Sequence, residues 1–203
     1  MNFRENIIYV AVFTFIITFL FIFILTVVYL NARDRIKRNN DIFEIKAVLN
    51  SMNIKYSDYD EAYEIYNKNI IKKTIDNNVI YTADINNQKS YAILFTGKGL
   101  WGTITGVLGI NSDYTKILGI DFISQNETPG LGGRISEKWF KDQFVNEKLA
   151  NFKIKFDYPG SKGDYDKNNN QVDAISGATI TSKSLDRILN EYLNNFKIII
   201  NKN

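Results

Sequence analysis

Residues 7–30, IIYVAVFTFIITFLFIFILTVVYL, carry no charge at any of 24 positions. As a helix at about 1.5 Å per residue such a run is roughly 36 Å long, enough to cross a bilayer's hydrocarbon core with some tilt. It is longer than the apolar part of a cleaved signal peptide, and Tyr29-Leu30-Asn31-Ala32-Arg33 at its end offers no small-x-small cleavage site. The expectation is a retained single-span anchor. Beyond it Ile42, Ile45, Leu49 and Met52 recur in steps of three and four, one apolar helix face continuing from the membrane. SDYDEAYEIYNKNI (57–70) predicts a weaker helix or irregular stretch. VIYTADI (79–85) and SYAILFT (90–96) predict strands with NNQK between them as a turn.

GKGLWGTITGVLGIN (97–111) and KILGIDFIS (116–124) predict two more strands joined by the polar NSDYT. ETPGLGGRI (127–135) is broken by Pro129 and its glycines and predicts no regular structure. Ser136 is the expected cap of a short helix carrying Trp139, Phe140 and Phe144, and FKIKF (152–156) alternates as a strand does. GSKGDYDKNNNQ (160–171) is a loop. The last helix puts Leu185, Ile188, Leu189, Tyr192, Leu193 and Phe196 on one face, with Thr181 or Ser182 as the expected N-cap. Together these elements predict an α+β fold: one transmembrane helix, then one domain with a twisted antiparallel sheet and flanking helices. The expected boundaries are 1–6 for the N-terminal flank, 7–30 for the membrane helix, 31–78 for a juxtamembrane helical region and 79–203 for the domain.

Composition narrows the chemistry by exclusion. The chain has no Cys and no His, which removes Cys-ligated iron–sulfur clusters, His-ligated haem, ordinary zinc sites and Ser-His-Asp or Cys-His catalysis. No metal site and no catalytic residue of the chain's own are expected. A net charge of +3 is too small and too dispersed for nucleic acid. Arg33, Arg35, Lys37 and Arg38 follow the apolar run against Arg4 before it, a bias that by itself favours a cytoplasmic C-terminal domain.

Three stretches could carry function. In DYDKNNNQ, Asp164, Asp166 and Asn168 occupy the first, third and fifth positions of an EF-hand loop, but Asn169 stands where Gly is needed and Ile175 where Glu is needed. A solvated turn explains it better. ETPGLGG reads as a tight turn, or as a rim whose backbone NH groups meet a flat polar ring while Leu131 covers one face. SGATITS reads as a plain helix N-terminus, or as a hydroxyl left room for a bulky group whose phosphate would sit beside the helix's free NH groups.

Asp173-Ala174-Ile175-Ser176-Gly177-Ala178-Thr179 resembles the flavinylation motif D-x-x-[S/T]-G-A-T of FMN-binding domains. GKGLWGTITGVLGIN, ETPGLGGRI with Trp139 downstream, and VDAISGATITS come in that family's order. The chain resembles the C component of the sodium-translocating NADH:quinone reductase first, and the homologous G component of the Rnf electron-transport complex next. The resemblance implies that residues 79–203 are an FMN-binding domain with FMN joined by a phosphoester to the hydroxyl of Thr179. Its implied cofactor site comprises Thr179, Ser176, Gly177, Ala178, Thr181, Asp173, Glu127, Thr128, Gly130, Leu131, Gly132 and Trp101. It further implies an electron-transfer subunit in a bacterial cytoplasmic (inner) membrane, with other membrane subunits as partners and the flavin domain on the periplasmic or extracellular side. A separate flavin transferase would load FMN from FAD. Two alternatives stand beside this. One is the Rnf component that passes electrons between ferredoxin and NAD; the other is a non-redox membrane-anchored sensor or assembly module. Relatives often carry His shortly before ETPGLG, where this chain has Gln125-Asn126.

Overall fold

The structure is a computed structural model that describes residues 3–85, 88–158 and 163–202. The chain divides into two compact units, 1–41 and 42–203. Helix α1, Phe3–Ser51, runs through the first and opens the second. Within the first unit, Ile7–Arg33 is long and apolar enough to cross a membrane, with a mean hydropathy of 2.9. Two of its polar side chains close onto the helix itself: Thr26 Oγ1 donates to the Ile22 carbonyl at 2.8 Å and Asn31 Nδ2 to the Val27 carbonyl at 3.0 Å. Such internal satisfaction is what a span in lipid requires.

The second unit is α+β. A five-stranded antiparallel sheet runs in the order β1 (Ile70–Ile75), β2 (Asn78–Ile85), β3 (Gln88–Lys98), β4 (Thr103–Asn111) and β5 (Ile117–Ser124). Period-two alternation sends its side chains to two faces. Tyr81, Ala83, Ala92 and Val107 meet Ala47, Val48 and Met52 from the end of α1. Ile93, Phe95, Leu108 and Ile110 meet Leu185, Ile188, Leu189, Leu193 and Phe196 of α4 (Thr179–Lys202). The cross-strand pair Gly109 and Gly119 lies directly beneath the carbonyl of Ser51. A side chain at Gly109 would overlap that oxygen, so the close approach of α1 depends on this residue.

Of the two readings of 57–70, the helix is the one that forms, as α2 (Tyr59–Asn69), while several other elements depart from the sequence expectations. Asp58 caps it by accepting from Glu61 N at 2.9 Å, and Glu61 reaches back to accept from Ser57 N at 2.6 Å. Strand β1 has no counterpart among the expected elements. The supposedly irregular ETPGLGGRI enters a 3-10 turn at Gly132–Ser136. Ser136 ends that turn, and Glu137 is the cap position of α3 (Lys138–Asp142), which carries Trp139 and Phe140 but stops short of Phe144. Phe152 has a left-handed φ of 58°, so only β6 (Lys155–Asp157) of the expected 152–156 strand forms; it pairs parallel to β7 (Gln171–Asp173). Asn86 and Asn87 of the expected NNQK turn, and residues 160–162 of the GSKGDYDKNNNQ loop, lie outside the described residues.

Candidate functional site

Thr179 is the first residue of α4 and is exposed. Gly177 precedes it with φ 80°, a left-handed turn that glycine makes without strain. Ser182 holds this turn from inside the helix: its hydroxyl donates to the Ala178 carbonyl and accepts from Ile175 N, at 3.0 and 3.1 Å. Thr181 and Ser182 are therefore buried first-turn residues and not the expected N-caps. Their hydroxyls face the protein, whereas Thr179 is exposed.

The loop before α3 approaches from the other side. Its turn forms because the Thr128 carbonyl accepts from both Leu131 N and Gly133 N, at 3.1 and 3.0 Å. Those two NH groups, expected to face a ligand, are taken up by the turn. Leu131 is 46% exposed, and a Cβ built on Gly177 would lie 3.5 Å from its Cδ2. Gly130 sits at the tip with φ 74°, and a Cβ there would meet nothing within 4 Å. Gly132 is buried where a side chain would overlap the Thr181 hydroxyl.

Glu127 joins the pieces. It is 5% exposed. Oε1 accepts from Leu100 N and Trp101 N, both at 3.0 Å, and Oε2 accepts from the Thr181 hydroxyl at 2.5 Å. One carboxylate thus ties the β3–β4 turn to the first turn of α4. The turn so held exposes the Trp101 side chain at 72%, and Ile180 beside Thr179 is 59% exposed. Leu131, Gly132, Glu127, Thr181, Gly177 and the Trp101 backbone are brought together in this way.

Asp173 lies apart, buried at the end of β7, where its Oδ2 accepts from Gly163 N at 3.1 Å. Its own NH donates to Gln143 Oε1 at 2.7 Å, and Asp164 N donates to the same oxygen at 2.7 Å. Gln143 does not stand out in the sequence. Lys141 and Asp142 beside it are polar as well, so the sequence carries no signal that singles it out. The DYDKNNNQ loop is built of aspartate and asparagine turns, with Asp166 N donating to Asp164 Oδ1 and Asn168 N to Asp166 Oδ1.

Lys183 is one turn along α4 from Thr179 and exposed, with its ammonium 6.0 Å from the Tyr158 ring centroid. Two turns along, burial pushes the Asp186 carboxyl up, partly offset by hydrogen bonds from Asn190 and Tyr158. An exposed threonine at a helix N-terminus, preceded by small residues and followed by the exposed Ile180, can carry a bulky phosphorylated aromatic group. It has no neighbouring imidazole to activate it.

Residues 99–194, a little under half of the chain, match the FMN-binding domain family. Among curated proteins, the chain is 39% identical over 89 residues to the C component of the Na(+)-translocating NADH-quinone reductase of Neisseria meningitidis serogroup A, covering 44% of this chain and 34% of that one. It is 37% identical over 99 residues to the G component of the ion-translocating oxidoreductase complex of Methanosarcina acetivorans, covering 49% and 47%. The matched segments span about a third to a half of these curated relatives. Among solved structures, the C component of the same reductase from Parabacteroides distasonis superposes with a TM-score of 0.64 at 29% identity, covering 81% of this chain and 93% of that one.

Proposed function

We propose that the protein is a membrane-anchored electron-transfer subunit with FMN in phosphoester linkage to Thr179, within a complex of the Na(+)-translocating NADH:quinone reductase type. The observation that carries this reading is the exposed Thr179 at the head of α4, two residues after Gly177, which lies against Leu131, in a site where Glu127 and Thr181 are hydrogen-bonded to each other. Bound there, FMN supplies reversible one- and two-electron chemistry; the chain supplies attachment, orientation and exclusion of water.

Each residue has a definite task in this reading. Thr179 Oγ is the attachment atom. Its attack on the flavin-side phosphorus of FAD, in a separate flavin transferase, forms the ester, releases AMP and gives up the hydroxyl proton. The N-terminal NH groups of α4 and Lys183 offset the phosphate's charge. Ser176, Gly177 and Ala178 leave room for the linkage. Leu131 covers one face of the ring, with Gly130 and Trp101 at the margin. Glu127, Gly132, Thr181 and Thr128 position these groups from beneath, while Asp173 holds the Gly163 loop at the end of β7. A tether suits a carrier outside the cytoplasm, since a short link holds the cofactor at an effective concentration on the order of millimolar.

The flavin domain accordingly lies on the periplasmic or extracellular side, with orientation set by neighbouring subunits against the local charge bias. The alternative within the class is the role of the Rnf G component, supported by the Methanosarcina acetivorans match. Protein co-expressed with a flavin transferase is digested and mapped by mass spectrometry. FMN on the peptide containing Thr179 is the expected result; an unmodified peptide map with colourless protein returns the chain to the sensor or assembly class. For sidedness, a cysteine placed at Asn168 in this cysteine-free chain is expected to react with an impermeant thiol reagent in intact cells, and labelling only after lysis would put the domain in the cytoplasm.

A further inference from the structure

The segment that leads to Thr179 is held at its start by one side chain from outside it. Gln143, the residue after α3, is fully buried between Phe140 and Phe144, which are buried as well. Its Oε1 accepts from Asp173 N and from Asp164 N, both at 2.7 Å, and its Nε2 donates to the Asp173 carbonyl at 3.4 Å. Both partners of Oε1 are NH groups and the partner of Nε2 is a carbonyl, so the amide fits in one orientation only. It takes up the NH and the carbonyl of the last residue of β7 much as a neighbouring strand would. Asp173 Oδ2 accepts in turn from Gly163 N at 3.1 Å, which closes a ring of hydrogen bonds through Gln143, Asp164, Gly163 and Asp173. Gln143 is itself fixed by its backbone: its NH donates to the Phe140 carbonyl at 3.3 Å and its carbonyl accepts from Lys167 Nζ at 2.8 Å.

From Asp173 onward the chain is bonded nearly residue by residue. Ala174 N donates to the Asp157 carbonyl at 2.9 Å, Ile175 N to the Ser182 hydroxyl at 3.1 Å and Ala178 N to the Ile175 carbonyl at 3.0 Å. The Ser182 hydroxyl also donates to the Ala178 carbonyl at 3.0 Å. These bonds carry the placement of Asp173 along the chain to Thr179. Gln143 grips the segment where it begins, and Ser182 grips it where the helix starts.

We propose that Gln143 is a positioning residue for flavin attachment: by fixing Asp173 it sets where the Thr179 hydroxyl meets the flavin-side phosphorus of FAD. The inference rests on the reading of Thr179 as the attachment residue. In the transfer, the bond from Thr179 Oγ to phosphorus forms and the P–O bond to the AMP half of FAD breaks. AMP leaves with the electron pair of that bond, and the hydroxyl proton passes to the transferase. The attacking oxygen must lie in line with the breaking bond, and a misplacement of about 1 Å can cost about 10²-fold in rate. A side chain that never touches the flavin thus governs the rate through the segment it holds.

The test is the initial rate of flavin incorporation into full-length, flavin-free protein in detergent, given FAD and a flavin transferase, with Tm measured for each protein. Gln143→Met keeps the length of the side chain and loses the amide. Gln143→Glu keeps an acceptor for both NH groups. Gly119→Ala lowers stability on β5, beneath the Ser51 carbonyl and away from the motif, and serves as the control. The expected kcat/KM for transfer is about tenfold or more below wild type in Gln143→Met, within about threefold of it in Gln143→Glu and within about twofold in Gly119→Ala. Equal rates in Gln143→Met and wild type overturn the proposal, as does slowing that simply follows Tm across the set, which would mean a structural role alone. Wild type loaded at Thr179 beside an unaffected Gln143→Met overturns this inference and leaves the attachment reading standing. Wild type that takes no flavin at Thr179 overturns both. Circular dichroism of Gln143→Met must match wild type. If that variant does not fold, Gln143→Asn, one methylene shorter and unable to span both NH groups, replaces it with the same expectation.

Discussion

Removing the Glu127 carboxylate separates a structural pin from a surface rim. Glu127→Ala takes away the acceptor for Leu100 N, Trp101 N and the Thr181 hydroxyl. Hydrogen bonds to charged groups are each worth about 1.5–3 kcal/mol net, and a buried donor left without a partner costs about 1–3 kcal/mol. The two turn NH groups can recover water, because the turn is on the surface. Thr181 cannot, because it is buried. The expected total is about 3 kcal/mol. For a chain of this size each kcal/mol lowers Tm by about 2–4 °C, so the shift is roughly 6–12 °C. Glu127→Gln keeps the shape and loses only charge assistance, about 1 kcal/mol. The assay is thermal unfolding in detergent, followed by the fluorescence of Trp101 and Trp139, with flavin occupancy of Thr179 measured in parallel. Both stability and occupancy are expected to fall in the order wild type, Gln, Ala. A Glu127→Ala protein melting within about 3 °C of wild type would refute the reasoning and return Glu127 to the surface.

Gly109→Ala drives a methyl group into the Ser51 carbonyl and is expected to cost about 3 kcal/mol or more by unfolding, whereas Gly119→Ala, whose Cβ would lie 3.1 Å from the same oxygen, costs about 1 kcal/mol. Burial raises the Glu147 carboxyl above its ordinary value, and its Oε2 has no hydrogen-bond partner among the described residues. The folded protein therefore holds this proton more tightly than the unfolded chain, so stability falls as pH rises from about 4.5, the ordinary carboxyl value, through the raised one. Glu147→Gln is expected to raise Tm at neutral pH, with the gain vanishing at pH ~4 in melts taken across the series. Leu131→Ala, at a half-exposed position, should change stability by less than about 0.5 kcal/mol while altering flavin emission and midpoint potential in a redox titration at equal flavin content.

Much of this architecture is legible in the sequence because burial imposes a period. Strands β2 to β5 and the buried face of α4 show it plainly. Strand β1 does not: in IIKKTI the central four residues are exposed at a sheet edge, so nothing alternates, and only pairing with β2 makes it a strand. Thr181 and Ser182 look like caps in the sequence because hydroxyls favour that position. Helix α4 instead starts three or four residues earlier, at Thr179 after the left-handed turn at Gly177, and turns both hydroxyls inward. Glu127 looks like a rim residue because sequence does not show which way a loop carboxylate points. Its partners lie 26, 27 and 54 residues away, and only the closed fold brings them to one point. The motif around Thr179 is legible because it is local: small residues, one hydroxyl and a helix start are contiguous in the chain.

The central claim is that Thr179 carries the flavin. Wild type, Thr179→Ala and Thr181→Ala proteins, each co-expressed with a flavin transferase, are denatured, run on a gel and imaged for flavin fluorescence before staining. The account predicts a bright wild-type band, no fluorescence in Thr179→Ala, and retained fluorescence in any Thr181→Ala protein that folds. A fluorescent Thr179→Ala band would contradict it.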